Sequence, residues 1–386
     1  MILDYFDHNF IDEFVANYNK SSWFYRKNIF DPDMLCNWSE LNYTISILDS
    51  YNDVLMLGES GFVSPYNLFK DKKKRAQEIS NVFNKYIFNG YTFVLNSAHT
   101  KHVKLAKFCS NLSQFLCTNT QANLYASWKN SRSPFGSHWD EQDTFIIQLE
   151  GSKKWKIYDF ADLDPVNHKH IVKKSEKLLA EFTLQKGDVL YVPMGQIHSA
   201  ETGDDISLHA TIGIHRYTAL DLLDWLKDDL SKIPEFRKRM PNINDKKQME
   251  EFVSNFFSNL SKVQWSSNKI HNVMHHLKSN FKFNSLLNLP YVGIESADAN
   301  FANQTFILNH FIRYEKEHQN GLIITNGLKK WVVPKEISAS FNELLLGKPV
   351  HYSTLSREGF ENGMQINYIN KVCTDMIHAG IITIYN

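Results

Sequence analysis

The spacing of apolar positions changes twice along the chain and divides it into three stretches. Up to about residue 216, mixed helix and strand signals give way to strand segments punctuated by turn residues. In "DTFIIQLEGSKKWKIYDF", Phe145, Ile147 and Leu149 alternate, "EGSK" follows, and Trp155 and Ile157 alternate after it. That pattern predicts an amphipathic β-hairpin turning at the glycine. "SLHATIGIH" alternates throughout, with Leu208, Ala210, Ile212 and Ile214 on one side and Ser207, His209, Thr211 and Gly213 on the other. Its second face is a polar lining.

From 217 to 280 the spacing becomes helical. Leu222, Leu226, Leu230 and Ile233 form one series, Met249, Phe252, Phe256, Leu260 and Val263 a second, and Ile270, Val273, Met274, Leu277 and Phe281 a third. Three such helices bury little alone, so their apolar faces are expected to meet another domain or a second copy of the chain. From 281 to 386 come the short helices "SASFNELLLG" and "QINYINKVCTDMIHAG" and a terminal strand "IITIYN", a small helix-plus-wing pattern.

Composition alters this picture only in places. A chain of 386 residues with 43% hydrophobic content can bury a large core in two or three domains. Residues 281–386 hold nine Lys/Arg against nine Asp/Glu, and the whole chain balances at zero. That argues against reading the wing as a DNA-binding element. Cys36, Cys109, Cys117 and Cys373 have no CxxC spacing and read as reduced thiols. The start, "MILDYFDHNFIDEF", is acidic where a secretory signal would be basic, and no apolar run reaches the span of a bilayer. A cytoplasmic protein without membrane contact is expected.

The chemistry gathers in the first stretch. Lys153 shares the parity of Trp155 and Ile157, while Lys154 and Lys156 fall on the opposite face. An inward ammonium needs an anionic partner, unless the strand start frays and the side chain reaches water. His138 and Asp140 sit two apart on one extended face, with Trp139 turned away. In "QKGDVLYVPMGQIHSA", Pro193 and Gly195 bend the chain before His198, which would be delivered by a loop. Two imidazoles and one carboxylate leave a metal with open positions, and both non-haem iron and zinc fit that donor set.

Together these residues resemble the JmjC-type cupin oxygenases that use Fe(II) and 2-oxoglutarate, and within them the ribosomal oxygenase branch. The resemblance lies in "HWDEQDTFIIQLEGSKKWKIYD", where a basic residue, Lys153, follows the histidine by fifteen positions, and in "GDVLYVPMGQIHSAE". It implies His138, Asp140 and His198 as metal ligands and Lys153 as the partner of the far 2-oxoglutarate carboxylate. "NLYASW" falls at an Asn-x-Tyr element, placing Asn123 near the cosubstrate and Tyr125 near the substrate. Thr211 and His209 fall on a Ser-x-His-x-Thr strand lining the same pocket, Thr211 toward cosubstrate and His209 toward substrate. No catalytic side chain beyond the metal ligands is implied.

The resemblance extends over the chain: a double-stranded β-helix, α+β in class, over 1–216, a helical dimerisation segment over 217–280 and a winged-helix-like domain over 281–386 that does not bind DNA. It implies a homodimer that hydroxylates a side chain, histidine or arginine at the β-carbon, in a ribosomal protein or peptide. A hydroxylase that tailors peptide natural products and a non-catalytic metal-binding cupin are the alternatives, and demethylation is chemically allowed. Trp139 stands where tyrosine is common, the "KNSRSPFGS" loop is longer and the His198 to Ser207 segment shorter, so the rim is expected to differ. Arg132 in that loop reads as solvated, and Trp128 as core-filling.

Overall fold

The computed structural model describes all residues except 1, 49–51, 59–60, 64–79, 82, 117, 130–135, 164, 166–176, 264–289, 292–293, 296–298, 310–311, 327–328, 347 and 386. Arg132, Cys117 and the helix expected over 270–281 lie outside the described residues. The chain divides into two units, Met1–Arg216 and Tyr217–Asn386.

The first unit is built on antiparallel strands: β1 (Phe24–Arg26), β2 (Val54–Gly58), β3 (Gly61–Val63), β4 (Thr92–Leu95), β5 (Thr120–Ser127), β6 (Asp143–Phe160), β7 (Leu178–Gln185), β8 (Val189–Val192), β9 (Gln196–Glu201) and β10 (Ser207–Ile214). The main path runs β1-β8-β6-β10-β5-β4-β2-β3, and the second half of β6 leaves it to pair with β7 and β9. One long strand thus belongs to two walls, and Ile146, Trp155, Ile157, Leu184, Leu190 and Val192 from both walls pack between them. This is a cupin-like arrangement.

The hairpin expected at "EGSK" does not form. Gly151 has a positive φ of 63°, which is turn-like, but β6 continues through it. A Cβ there would stand 1.7 Å from the Ile206 carbonyl oxygen, so only glycine fits where the strand is kinked against the start of β10. The register against β10 slips at Leu208/His209. The kink also exchanges the faces: Thr144 and Ile146 line the interior before it, Lys153 and Trp155 after it.

Phe145 therefore points the other way. Its ring lies 5.7, 6.2 and 5.2 Å from those of Phe6, Phe10 and Phe14. Phe10 and Phe14 sit one turn apart on α1 (His8–Lys20), which starts at the Asp7 carboxylate accepting the Phe10 amide at 2.8 Å. Every residue from Asp143 to Leu149 is buried, because helices cover the outside of this wall as the interior covers the inside. A second helix, α2 (Trp38–Ser46), opens on a capping box of Asn37 with Glu40. The third, α3 (Val103–Leu116), adds Phe108 to the aromatic layer.

The second unit begins with α4 (Ala219–Leu230) and α5 (Lys246–Ser261). No residue of α5 is buried, and Leu220, Leu223, Val253 and Phe257 are exposed. Strand β11 (Thr305–Leu308) pairs with β15 (Val350–His351) and β16 (Ile382–Ile384), while β12 (Ile312–His318), β13 (Gly321–Asn326) and β14 (Lys329–Pro334) form a separate meander. With α6 (Ser338–Leu345), α7 (Tyr352–Glu361) and α8 (Ile366–His378) they enclose a core that includes Phe306, Phe341, Leu355, Ile369 and Cys373. The meander and α7 were not anticipated from the sequence.

Candidate active site

His138 and His198 are brought together by backbone pairing. His138 lies in an isolated bridge to His198, with each amide donating to the other's carbonyl at 3.0 and 2.8 Å. Gly195, with a positive φ of 82°, turns the chain before β9. His198 therefore stands on a strand opposite Ile157, not on the loop that Pro193 and Gly195 suggested.

The three polar side chains converge at this bridge. The Asp140 carboxylate is 3.9 Å from His138 Nε2 and 3.5 Å from His198 Nε2. One ligand atom from each of His138, Asp140 and His198 lies within 4.8 Å of the others. His198 Nδ1 stands 3.0 Å from the Gln196 carbonyl oxygen, and His138 Nδ1 stands 3.4 Å from that of Gly136. With the proton on Nδ1, beside each carbonyl, Nε2 of each ring would present a lone pair beside the carboxylate. Two lone pairs and a carboxylate aimed at one point suit a divalent cation.

A cavity of about 370 Å³ extends from this triad and is lined also by Leu57, Thr92, Tyr125, Trp139, Thr144 and Ile146. Trp139 is thus not turned away from the site. Lys153, Trp155, Ala200, His209 and Thr211 complete the wall. Lys153 is 6% exposed and donates to Ser127 Oγ at 2.9 Å, which lies 3.1 Å from Thr92 Oγ1. Among the described residues it forms no ion pair, and burial pushes its ammonium down to about 7. The frayed-end alternative fails, since Lys153 sits mid-strand opposite Leu184.

Strand pairing sets the rest. His209 lies opposite Tyr125, and Thr211 opposite Asn123. The His209 ring stacks on Tyr125 at 5.0 Å and meets Trp155 edge-on at 5.8 Å. Burial and then the neighbouring Lys153 hold His209 well below the usual imidazole range, so it is neutral. His209 Nδ1 and Trp155 Nε1 are buried with no partner. Asn123 does not line the cavity; its side-chain oxygen accepts the Ser97 amide at 2.9 Å. Trp128 is half-buried beside Trp38, 6.4 Å between rings. Ser127, Thr92 and the unpartnered indole of Trp155 were missed from the sequence; Ser127 shares the inward parity of Tyr125, which could have flagged it.

Residues 95–222 match the family described as JmjC domain, a stretch that contains the triad, Lys153, Tyr125 and His209. Over these residues the chain is similar to JmjC domains. Among curated proteins, a "Bifunctional lysine-specific demethylase and histidyl-hydroxylase NO66" of Dictyostelium discoideum is 34% identical over 140 residues, covering 34% of this chain and 26% of that protein. The Drosophila melanogaster protein of the same name is 31% identical over 139 residues, covering 34% and 21%. The chain thus spans about a quarter of the length of these relatives. Among solved structures, the ribosomal oxygenase YcfD of Escherichia coli in complex with cobalt and 2-oxoglutarate aligns with a TM-score of 0.62 at 12% identity, covering 99% of this chain and 100% of that one. The same protein with cobalt and succinic acid gives 0.62 at 13%, covering 99% and 100%. At such identities the likeness is one of fold, and it extends beyond residues 95–222.

Proposed function

We propose that the protein is an Fe(II)- and 2-oxoglutarate-dependent oxygenase that hydroxylates a side chain of a protein or peptide substrate. The observation that carries this reading is the buried Lys153 ammonium in the cavity that holds the triad. A cation without a carboxylate partner in an apolar wall is costly, and a ligand that brings its own carboxylate removes that cost. The YcfD complexes, with cobalt and either 2-oxoglutarate or succinic acid, support the same choice of cosubstrate.

In this reading His138, Asp140 and His198 would hold the iron, with Nδ1 of the two histidines tied back to backbone carbonyls so that Nε2 stays aimed inward. When bound, the iron would let dioxygen act as the oxidant, one oxygen atom entering the substrate C–H bond and the other entering 2-oxoglutarate as it is decarboxylated to succinate and carbon dioxide. Lys153, positioned by Ser127, pairs with the far carboxylate of 2-oxoglutarate. Thr211 lies beside that ligand, and Asn123 orders the neighbouring Ser97 segment through its side-chain oxygen. Tyr125 and His209 form a flat, neutral wall for the substrate side chain, and Leu57, Ile146, Trp155 and Ala200 keep water away.

The substrate side chain is a histidine or an arginine, hydroxylated at the β-carbon, in a ribosomal protein or another peptide. Residues 217–280 serve as a homodimerisation segment, for which the exposed Leu220, Leu223, Val253 and Phe257 are the support. Residues 281–386 form a winged-helix-like domain whose balanced charge disfavours DNA. No helix among the described residues is long and apolar enough to cross a membrane. The test is purified protein with Fe(II), 2-oxoglutarate and ribosomal proteins, scored for succinate and for a gain of one oxygen by mass. Succinate without any modified residue in the presence of many candidate peptides would leave the hydroxylase reading without support.

A further inference from the structure

A second cluster of metal-binding side chains lies in the first unit, and none of its members lines the cavity. We propose that Cys36, Glu40 and His102 form a second divalent-cation site, with a donor set suited to zinc. The Cys36 sulfur, a Glu40 carboxylate oxygen and a His102 ring nitrogen all lie within 4.8 Å of one another, the same limit met by the triad.

Burial makes this convergence informative. Cys36 is 0% exposed and forms no disulfide, and His102 is 8% exposed. His102 Nδ1 is buried and has no hydrogen-bond partner. Among the described residues, no hydrogen bond joins any member of the cluster to another. The Cys36 sulfur contacts the Asn37 carbonyl at 3.5 Å, and Glu40 accepts the Asn37 amide at 3.1 Å. His102 is thus the member whose buried nitrogen is left unsatisfied, and an ion bridging it to the sulfur and the carboxylate would satisfy it.

The three positions are held by helix ends. Cys36 immediately precedes the Asn37 cap of α2, and the capping box fixes Glu40. His102 immediately precedes α3, its carbonyl accepting the Ala106 amide at 2.9 Å. A tetrahedral ion with bonds of about 2.0–2.3 Å holds its ligand atoms about 3.3–3.7 Å apart, so binding would draw the three together by at most about 1 Å. The thiol, which burial pushes up to about 12, stays protonated without an ion. On binding, its proton leaves to solvent as the sulfur–metal bond forms, and thiolate plus carboxylate balance the two positive charges.

Lys104 is the competitor. Its ammonium pairs with Glu40 at 2.6 Å and donates to the Asp33 carbonyl at 2.7 Å. Removing it frees one carboxylate oxygen and one like charge, so the site predicts opposite effects from two neighbouring substitutions.

The experiment uses the full chain carrying Asp140→Ala, which disables the triad, titrated with Co(II) alone. The triad contains no sulfur, so a near-ultraviolet thiolate-to-cobalt absorption band comes from a cysteine outside it, its loss in Cys36→Ser assigns it to Cys36, and the outcome is independent of the oxygenase reading. The expected result is a band that saturates at one equivalent and disappears in Cys36→Ser. His102→Gln should weaken binding about tenfold or more, and Lys104→Met should tighten it about threefold. Far-ultraviolet circular dichroism checks that the variants fold; if Cys36→Ser does not, the His102→Gln and Lys104→Met pair decides. No band at stoichiometric cobalt, a band that survives Cys36→Ser, or weaker binding in Lys104→Met overturns the site and leaves a polar cluster at two helix ends.

Discussion

Replacing Lys153 by methionine keeps most of the side-chain volume and removes the charge. An ammonium held at about 7 instead of its ordinary 10.5 is disfavoured in the fold by about 5 kcal/mol. The sign follows from proton counts. Between pH 7 and 10.5 the unfolded chain keeps the proton and the folded chain releases it, so this group makes stability rise with pH across that window. Below about 7 the full cost is present, and above about 10.5 it has gone. Urea unfolding of the ligand-free protein should therefore find Lys153→Met more stable than the wild type by up to about 5 kcal/mol at pH 6 and by about 2 kcal/mol at pH 9. A gain of that size is a large fraction of the total stability of a domain. 2-Oxoglutarate with a metal at a hundredfold excess over its dissociation constant should stabilise the wild type by about 2.7 kcal/mol and the variant by far less. If Lys153→Met is no more stable at pH 6, or if 2-oxoglutarate protects it equally, the lysine is not a buried cation awaiting a carboxylate.

Three further outcomes follow from the same geometry. Trp155→Phe keeps the ring against His198 and His209 but removes the unpartnered indole N–H, and should raise the apparent KM for 2-oxoglutarate about two- to tenfold with little change in kcat. Gly151→Ala sets a methyl against the Ile206 carbonyl, and a thermal melt should show a loss of about 2 kcal/mol or more. Phe145→Ala opens the aromatic layer beneath α1, and urea unfolding should show a loss of about 3–5 kcal/mol.

Much of the site was legible because strand parity is a local rule. The inward side of Lys153 and the polar face of β10 follow from alternation, whereas His138 and Asp140 converge without a strand between them, so that Trp139 lines the cavity as well. What failed were places where tertiary contacts override a local signal. Gly151 resembles a turn residue, yet the strand passes through it because the second wall pairs with its far half. Pro193 and Gly195 do bend the chain, but the bend ends before His198, which pairing then captures in β9. Asn123 has the parity for the cavity; its side chain accepts the Ser97 amide and hydrogen-bonds Tyr125, which lines the cavity. The meander over β12 to β14 has apolar positions such as Leu322, Ile324 and Val333 in alternation, a signal that the neighbouring helices overshadowed. Unpartnered atoms such as Trp155 Nε1 have no sequence signature, since they depend on what every surrounding element leaves unfilled.

The central claim is that one cavity binds a metal at His138, Asp140 and His198 and a dicarboxylate between that metal and Lys153. Calorimetric titration of 2-oxoglutarate into protein loaded with cobalt, a stand-in for iron that does not turn over, tests it most directly. The account predicts one equivalent bound with metal present, loss of that binding in Asp140→Ala, and much weaker binding in Lys153→Ala. Binding that persists without metal, or that is equally strong in both variants, would contradict it.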